Sequence, residues 1–144
     1  MSSASPEENK MLLRQVIEDV FNQHNLDAAN KYYPVDYIQH NPEVPPGRDG
    51  FKQFFGILFT AFPDWAATID HIVAEGDMLM TFITWRGTHT GEFMGRAATG
   101  KQVTVRTADL FRIANGQLVE HWDVVENLDM LQQIGVISPI TEVL

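Results

Sequence analysis

Four consecutive residues, Glu120-His121-Trp122-Asp123, stand in a run that is otherwise Leu118, Val119, Val124 and Val125. The run reads as a strand opening after the turn signal Ala114-Asn115-Gly116. Its period of two puts His121 and Asp123 on one face and Glu120 and Trp122 on the other. Whichever face looks inward carries an ionisable group toward low dielectric. A charge placed there is costly unless paired, so the quartet raises a question of function before one of stability. A carboxylate in an apolar cavity has a raised pKa and works as base and then acid, which makes Asp123 the candidate proton carrier. The competing reading is a strand-end carboxylate, solvated or paired with Arg106 or Arg112.

The other candidates depend on what surrounds them. His40 ends an earlier strand and is followed by Asn41-Pro42. It donates to a substrate carbonyl or shares a proton with Asp123, or else it bonds a backbone carbonyl beside the loop. Asn41 reads as an oxyanion donor or as ordinary turn chemistry before proline. For Asp109 the hairpin register decides. A type I turn with a glycine bulge sets Asp109 across from His121 and Thr107 across from Asp123, so Asp109, His121 and Asp123 share one face. A two-residue Asn115-Gly116 turn sets Asp109 across from Trp122 and splits the cluster. The bulged turn is the expectation, because it keeps the polar residues together. His89, among glycines and threonines, fits a pocket mouth or an exposed loop, and His24 and His71 have no visible partner.

What is missing narrows the chemistry further. The five histidines show no paired metal spacing and there is no cysteine, so no metal is expected. No phosphate-binding glycine loop, nucleophile elbow or dinucleotide fingerprint is present, and no cofactor is expected. The 144 residues suit one domain, 1-144, with a sizeable core and mobile tails at 1-5 and 138-144. Ten Lys plus Arg against 19 Asp plus Glu give a formal charge of −9. That balance argues against nucleic acid or an anionic membrane as partner. Without a basic start, an apolar leader or a run of ~20 apolar residues, a cytoplasmic protein is the expectation.

These side chains must be carried by a particular set of elements. Ser5-Pro6-Glu7-Glu8 is a helix start, and Leu12, Leu13, Val16, Ile17, Val20 and Phe21 follow as one apolar stripe fading near His24. A short helix, 26–33, stops at Pro34. Residues 35–41 read as a strand with Tyr37 and Gln39 on one face, Ile38 and His40 on the other. Asp49 caps a third helix to about Phe62, crowded with Phe51, Phe54, Phe55, Leu58 and Phe59. From Trp65 the period becomes two, with strands at 66–74, 78–87, 103–113 and 118–125, a glycine-rich excursion at 88–101 and a closing helix at 128–134. Helices ahead of a mostly antiparallel sheet make this α+β: a curved sheet wrapped around N-terminal helices, cone-like, with an internal pocket. Trp85, Trp122 and Phe55 suit walls for a flat apolar ligand or plain core packing.

The strings Tyr37-Ile38-Gln39-His40-Asn41-Pro42, Gly87-Thr88-His89-Thr90-Gly91-Glu92-Phe93, Ala98-Thr99-Gly100-Lys101, Asp109-Leu110-Phe111-Arg112-Ile113 and Glu120-His121-Trp122-Asp123 resemble the SnoaL-like polyketide cyclases of the nuclear-transport-factor-two-like superfamily. The resemblance runs from about Leu12 to Gly135. It implies cofactor-free intramolecular aldol closure, and the function expected is acid–base catalysis of the aldol, cyclisation or isomerisation type on a small apolar carbonyl compound. Asp123 then matches the carboxylate that removes a proton beside a carbonyl. Beside the resemblance, Tyr37, Asn41, Trp85, His89, Trp122 and Phe55 are the residues expected to contact the ligand. Asp109 stands where the cyclases often carry a histidine, which leaves His40 or His121 to supply the neutral or cationic donor. On the same scaffold, a binding protein without turnover and a hydrolase using water activated by Asp109 and Asp123 are the alternatives. The sheet's other face also carries apolar side chains, Leu79, Ile83 and Val105 among them, and a homodimer through the sheet would cover it.

Overall fold

The computed structural model describes residues 4–138; the tails expected at 1-5 and 138-144 fall mainly outside the described residues. Helix α1, Pro6–Val16, starts as its first residues dictate, with Ser5 and Glu8 forming a reciprocal capping box and Pro6 in the first turn. It widens into a π-helical turn, Ile17–Asn22, whose Ile17, Val20 and Phe21 are buried. Asn22 then fastens the helix end to the sheet, exchanging hydrogen bonds with the Ala67 carbonyl and amide at 3.2 and 2.7 Å. A 3₁₀ turn, Leu26–Ala28, leads into α2, Ala29–Tyr32, and α3 covers Gly47–Ala61. The capping role expected of Asp49 is not used, because the helix begins two residues earlier, at a cap formed by Pro46.

Five strands form one sheet in the order β1-β5-β4-β3-β2. They are β1 Ile38–Gln39, β2 Ala66–Glu75, β3 Met78–Thr88, β4 Gln102–Ala114 and β5 Gln117–Val125, and α4, Asn127–Gln133, follows β5. All neighbours are antiparallel except β1, which runs parallel to β5. Irregularities between Ile69 and His71 in β2, and beside Arg112 and Ile113 in the β4–β5 pair, add the bend an even ladder lacks. The fold is the expected α+β cone.

Which residues look inward follows from the ladders. Leu79, Ile83, Trp85, Val105 and Phe111 are buried on the concave face, against Phe21, Phe51 and Leu58 of the helices. This corrects one expectation: Leu79, Ile83 and Val105 lie on the same face as Trp85, not on the opposite one. The convex face instead carries Met80, Phe82 and Val124, all exposed. Two-residue alternation within β3 requires this, since 79, 83 and 85 share parity.

Candidate active site

The β4–β5 hairpin sets the site, and it differs from the expected register. Ala114 pairs with Gln117, and Asn115 and Gly116 both take positive φ (53° and 72°), as a two-residue type I′ turn requires. The ladder then slips by one residue: Ile113 faces Leu118 but Arg112 faces Glu120, so Val119 is the extra residue. Asp109 therefore faces Asp123, and His121 faces Phe111. The bulge lies inside the strand, not at the turn. It restores the shared inward face of Asp109, His121 and Asp123 that a regular two-residue hairpin would have split.

These side chains form a connected network. His121 Nε2 lies 2.8 Å from Asp109 Oδ1 and 3.8 Å from Asp123 Oδ2. The Trp85 indole N–H donates to Thr107 Oγ1 at 2.9 Å, and the Thr107 hydroxyl donates to Asp109 Oδ2. On the other side, His121 Nδ1 lies 2.8 Å from Gln39 Oε1, which also accepts the Asn41 backbone N–H at 2.9 Å. Asn41 Nδ2 donates to Asp123 Oδ2 at 3.0 Å, its orientation fixed by the Glu43 amide donating to Asn41 Oδ1. Asp123 Oδ1 has no hydrogen-bond partner among the described residues.

Asp123 is 11% exposed at its side chain. Burial pushes its carboxyl above the ordinary range, the facing Asp109 carboxylate adds to that, and His121 and the Asn41 bond oppose it. Tyr37, which takes a 3.4 Å hydrogen bond from Gln39 Nε2, has its phenol pushed well above the ordinary value, chiefly by burial. It is a protonated donor at any physiological pH.

The cluster forms one wall of a cavity of about 200 Å³. Apolar walls come from Phe21, Phe51, Phe55, Leu58, Trp65 and Trp85, with Phe21 set edge-on to Phe55 and Trp85 at 4.9 and 5.2 Å. Of the expected ligand contacts, Tyr37, Asn41, Phe55 and Trp85 line the cavity. Trp85 has its indole N–H committed to Thr107, so it offers a face and not a donor.

Three expected site residues lie elsewhere. His40 follows Gln39 and alternation turns it outward: its side chain is 41% exposed, bonds Glu120 at 2.7 Å and stacks on Trp122 at 4.7 Å. Trp122 is on that outer face with it, opposite Asp123. Glu120 there binds His40 and Arg112 and is held below the usual carboxylate range by those two bonds. His89 is fully buried rather than at a mouth, bonded through Nδ1 to Thr99 at 2.9 Å and stacked on Phe62, and it does not line the cavity. His24 does have a partner, the Trp65 carbonyl at 2.6 Å.

Sequence reasoning missed Gln39 and Thr107, the two neutral residues that orient the ionisable ones. Both share strand parity with site residues, Gln39 with Tyr37 and Thr107 with Asp109. One ligand atom from each of Asp109, His121 and Asp123 lies within 4.8 Å of the other two, a spacing a cation matches. Both imidazole nitrogens are already hydrogen-bonded, however, and the geometry is equally that of carboxylates sharing protons through an imidazole.

A bent sheet closed by helices over an apolar cavity, with acid–base groups on one wall, defines an α+β cone, a fold shared with solved structures such as TsrD of Streptomyces laurentii (24% identity, TM-score 0.84, 94% of this chain and 100% of that one). Within that fold, this chain belongs to the SnoaL-like polyketide cyclase family, whose sequence profile matches residues 11–134. It is 27% identical over 138 residues to the aklanonic acid methyl ester cyclase DnrD of Streptomyces peucetius, covering 91% of this chain and 93% of that one. Among solved structures it is similar to IdmH of Streptomyces antibioticus, proposed as a polyketide cyclase (32% identity, TM-score 0.75, 88% of this chain and 97% of that one). It is likewise similar to AclR of Streptomyces galilaeus, proposed as a hydroxylase (28% identity, TM-score 0.86, 96% and 88%). Among the described residues no helix is long and apolar enough to cross a membrane.

Proposed function

We propose that this protein is a cofactor-independent acid–base enzyme that closes a ring in a small apolar carbonyl compound by intramolecular aldol addition. The observation that carries this reading is the Asp123 carboxylate: at the cavity wall, raised in pKa, one oxygen held by Asn41 and the other free. Asp123 Oδ1 takes a proton from the carbon beside one carbonyl, and that carbonyl becomes an enolate. The enolate carbon attacks a second carbonyl of the same molecule, and the resulting alkoxide takes the proton back from Asp123. Tyr37 and the spare N–H of Asn41 are the donors available to the enolate oxygen. His40 has no part in this scheme, because it is outside the cavity. A hydrolytic reading fits less well, since each oxygen of Asp109 already holds a hydrogen bond within the cluster, to Thr107 and to His121, and is not left free as Asp123 Oδ1 is.

The experiment is solvent exchange: incubation of β-dicarbonyl compounds in D₂O with the protein, read by loss of the α-proton signal. Catalysed exchange is expected. Tight binding across the panel with no exchange would leave a binding protein without turnover. Because the base must be ionised, the exchange rate is expected to rise with pH along a limb above the ordinary carboxylate value of about 4. A limb at the ordinary value would remove Asp123 from the role.

We also propose that the convex face is covered by a second copy. Met80, Phe82 and Val124 are exposed there, an apolar patch that a monomer would leave in water. Light scattering at micromolar concentration is expected to give about twice the 16.3 kDa chain mass. A monomer at that concentration would refute the dimer.

A further inference from the structure

Two carboxylates directly opposite on neighbouring strands repel, and Asp109 faces Asp123 across the β4–β5 ladder. Something must keep this site from carrying two unrelieved negative charges, and the directions of the hydrogen bonds identify it. Gln39 Oε1 accepts the Asn41 backbone N–H, a group that can only donate. Reversing the Gln39 amide would set two donors against each other. The oxygen is therefore fixed, and His121 Nδ1, 2.8 Å from the same oxygen, must carry a proton to be held there.

At the far end the direction is fixed as well. An indole nitrogen only donates, so Trp85 gives its proton to Thr107, and the Thr107 hydroxyl has its own left for Asp109 Oδ2. What remains is the 2.8 Å contact between Asp109 Oδ1 and His121 Nε2. With Nδ1 already protonated, that contact holds only if one more proton lies between the two atoms, on either one.

We infer that Gln39 is a positioning residue that sets the proton count of the site. By holding His121 as the Nδ1–H form, it obliges Asp109 and His121 to share a proton, so the pair is neutral overall and Asp123 carries the one unbalanced charge of the three-residue cluster. Without Gln39, His121 is free to take the other tautomer, with Nε2–H donating to an ionised Asp109, and the site gains a second negative charge. The groups facing His121 are Asp109 from β4, Asp123 from its own strand, and Tyr37 through Gln39. Among the described residues, Gln39 is the one that hydrogen-bonds Nδ1. The inference rests on hydrogen-bond direction alone and stands whether or not the proposed aldol chemistry is correct.

The test reads nitrogen protonation and not turnover, which keeps the two distinguishable. The intact protein is labelled with ¹⁵N-histidine, and ring nitrogens are followed by long-range ¹H–¹⁵N correlation at neutral pH, with His121 assigned by its loss in His121→Gln. In the unsubstituted protein, His121 Nδ1 is expected as a protonated, pyrrole-type nitrogen with a slowly exchanging proton. Gln39→Leu, which removes the acceptor, is expected to move Nδ1 to the pyridine-type region. Gln39→Glu, which keeps an acceptor at the same place, is expected to retain the Nδ1 proton, a rescue that side-chain packing alone would not distinguish. A bare Nδ1 in the unsubstituted protein overturns the inference, as does a folded Gln39→Leu whose His121 signals are unchanged. Should Gln39→Leu fail to fold, the unsubstituted and Gln39→Glu spectra still decide, because a bare Nδ1 in either contradicts the assignment.

Discussion

Asp123→Asn is expected to lower turnover by about a hundred- to ten-thousand-fold, the range that general acid–base catalysis contributes. The substitution isolates proton transfer from packing. Asparagine has the same shape, and its carbonyl oxygen can still accept from Asn41, which now donates at 3.0 Å to Asp123 Oδ2. Ligand affinity is therefore expected to change far less than turnover. Stability separates the effects further. A carboxyl whose pKa is raised by burial favours its protonated form in the folded chain. Its contribution to stability is thus fully present below the ordinary carboxylate value and is lost as pH rises through the raised one. At neutral pH the ionised Asp123 is a cost to the fold, and Asp123→Asn removes it. A variant that is folded, binds, has lost turnover and is no less stable at neutral pH is the signature of a base. Unchanged turnover, measured once a substrate is in hand, would clear Asp123 of the role.

The elements were legible in the sequence where one physical signal dominated. The Ser5-Pro6-Glu7-Glu8 cap forms as its residues require, and each of the four long strands begins and ends within a residue or so of where the period of two begins and ends. That His121 and Asp123 share a face was legible for the same reason, since parity within one strand fixes it, whereas Asp109 joins them only through the register of the hairpin. That register was not legible. Asn115-Gly116 is compatible with either turn, and the residue that slips the ladder, Val119, is a valine among valines with no glycine to mark it. His40 is a different kind of miss. Alternation already set it beside Ile38 and away from Gln39, and assigning it to the pocket let side-chain chemistry override geometry. Its neighbour Gln39, chemically bland, is the residue that reaches His121. In a strand, parity is the stronger evidence, because a side chain on the wrong face is separated from the site by the sheet itself.

A second large effect concerns the loop that carries Asn41, and it is expected from a single methyl group. Alanine normally gains about 1 kcal/mol over glycine inside a helix, so Gly50→Ala in α3 would ordinarily be stabilising. Here a Cβ on Gly50 would lie 2.1 Å from the Pro45 carbonyl oxygen and 2.3 Å from its carbon, both backbone atoms that cannot swing aside. Overpacking of this kind costs about 1–3 kcal/mol or more, and with the helix N-terminus seated directly on the Pro45-Pro46 segment the upper end applies. The net loss is expected near 2 kcal/mol, a fall in Tm of about 4–8 °C for a chain of this size. Gly56→Ala in the same helix is the control: its Cβ would meet only Leu26 Cδ1 at 3.7 Å, an ordinary contact. That variant is expected to be neutral or stabilising. The consequence reaches the site because Pro45 lies four residues beyond Asn41, and Val44, whose amide bonds the Asn41 carbonyl at 3.1 Å, lines the cavity. Displacing Pro45 pulls on that turn and loosens the Asn41–Asp123 bond, so Gly50→Ala is expected to lose turnover as well as stability while Gly56→Ala retains both. Equal melting temperatures for the two variants would mean that the loop yields freely, and that Asn41 is held by Asp123 rather than holding it.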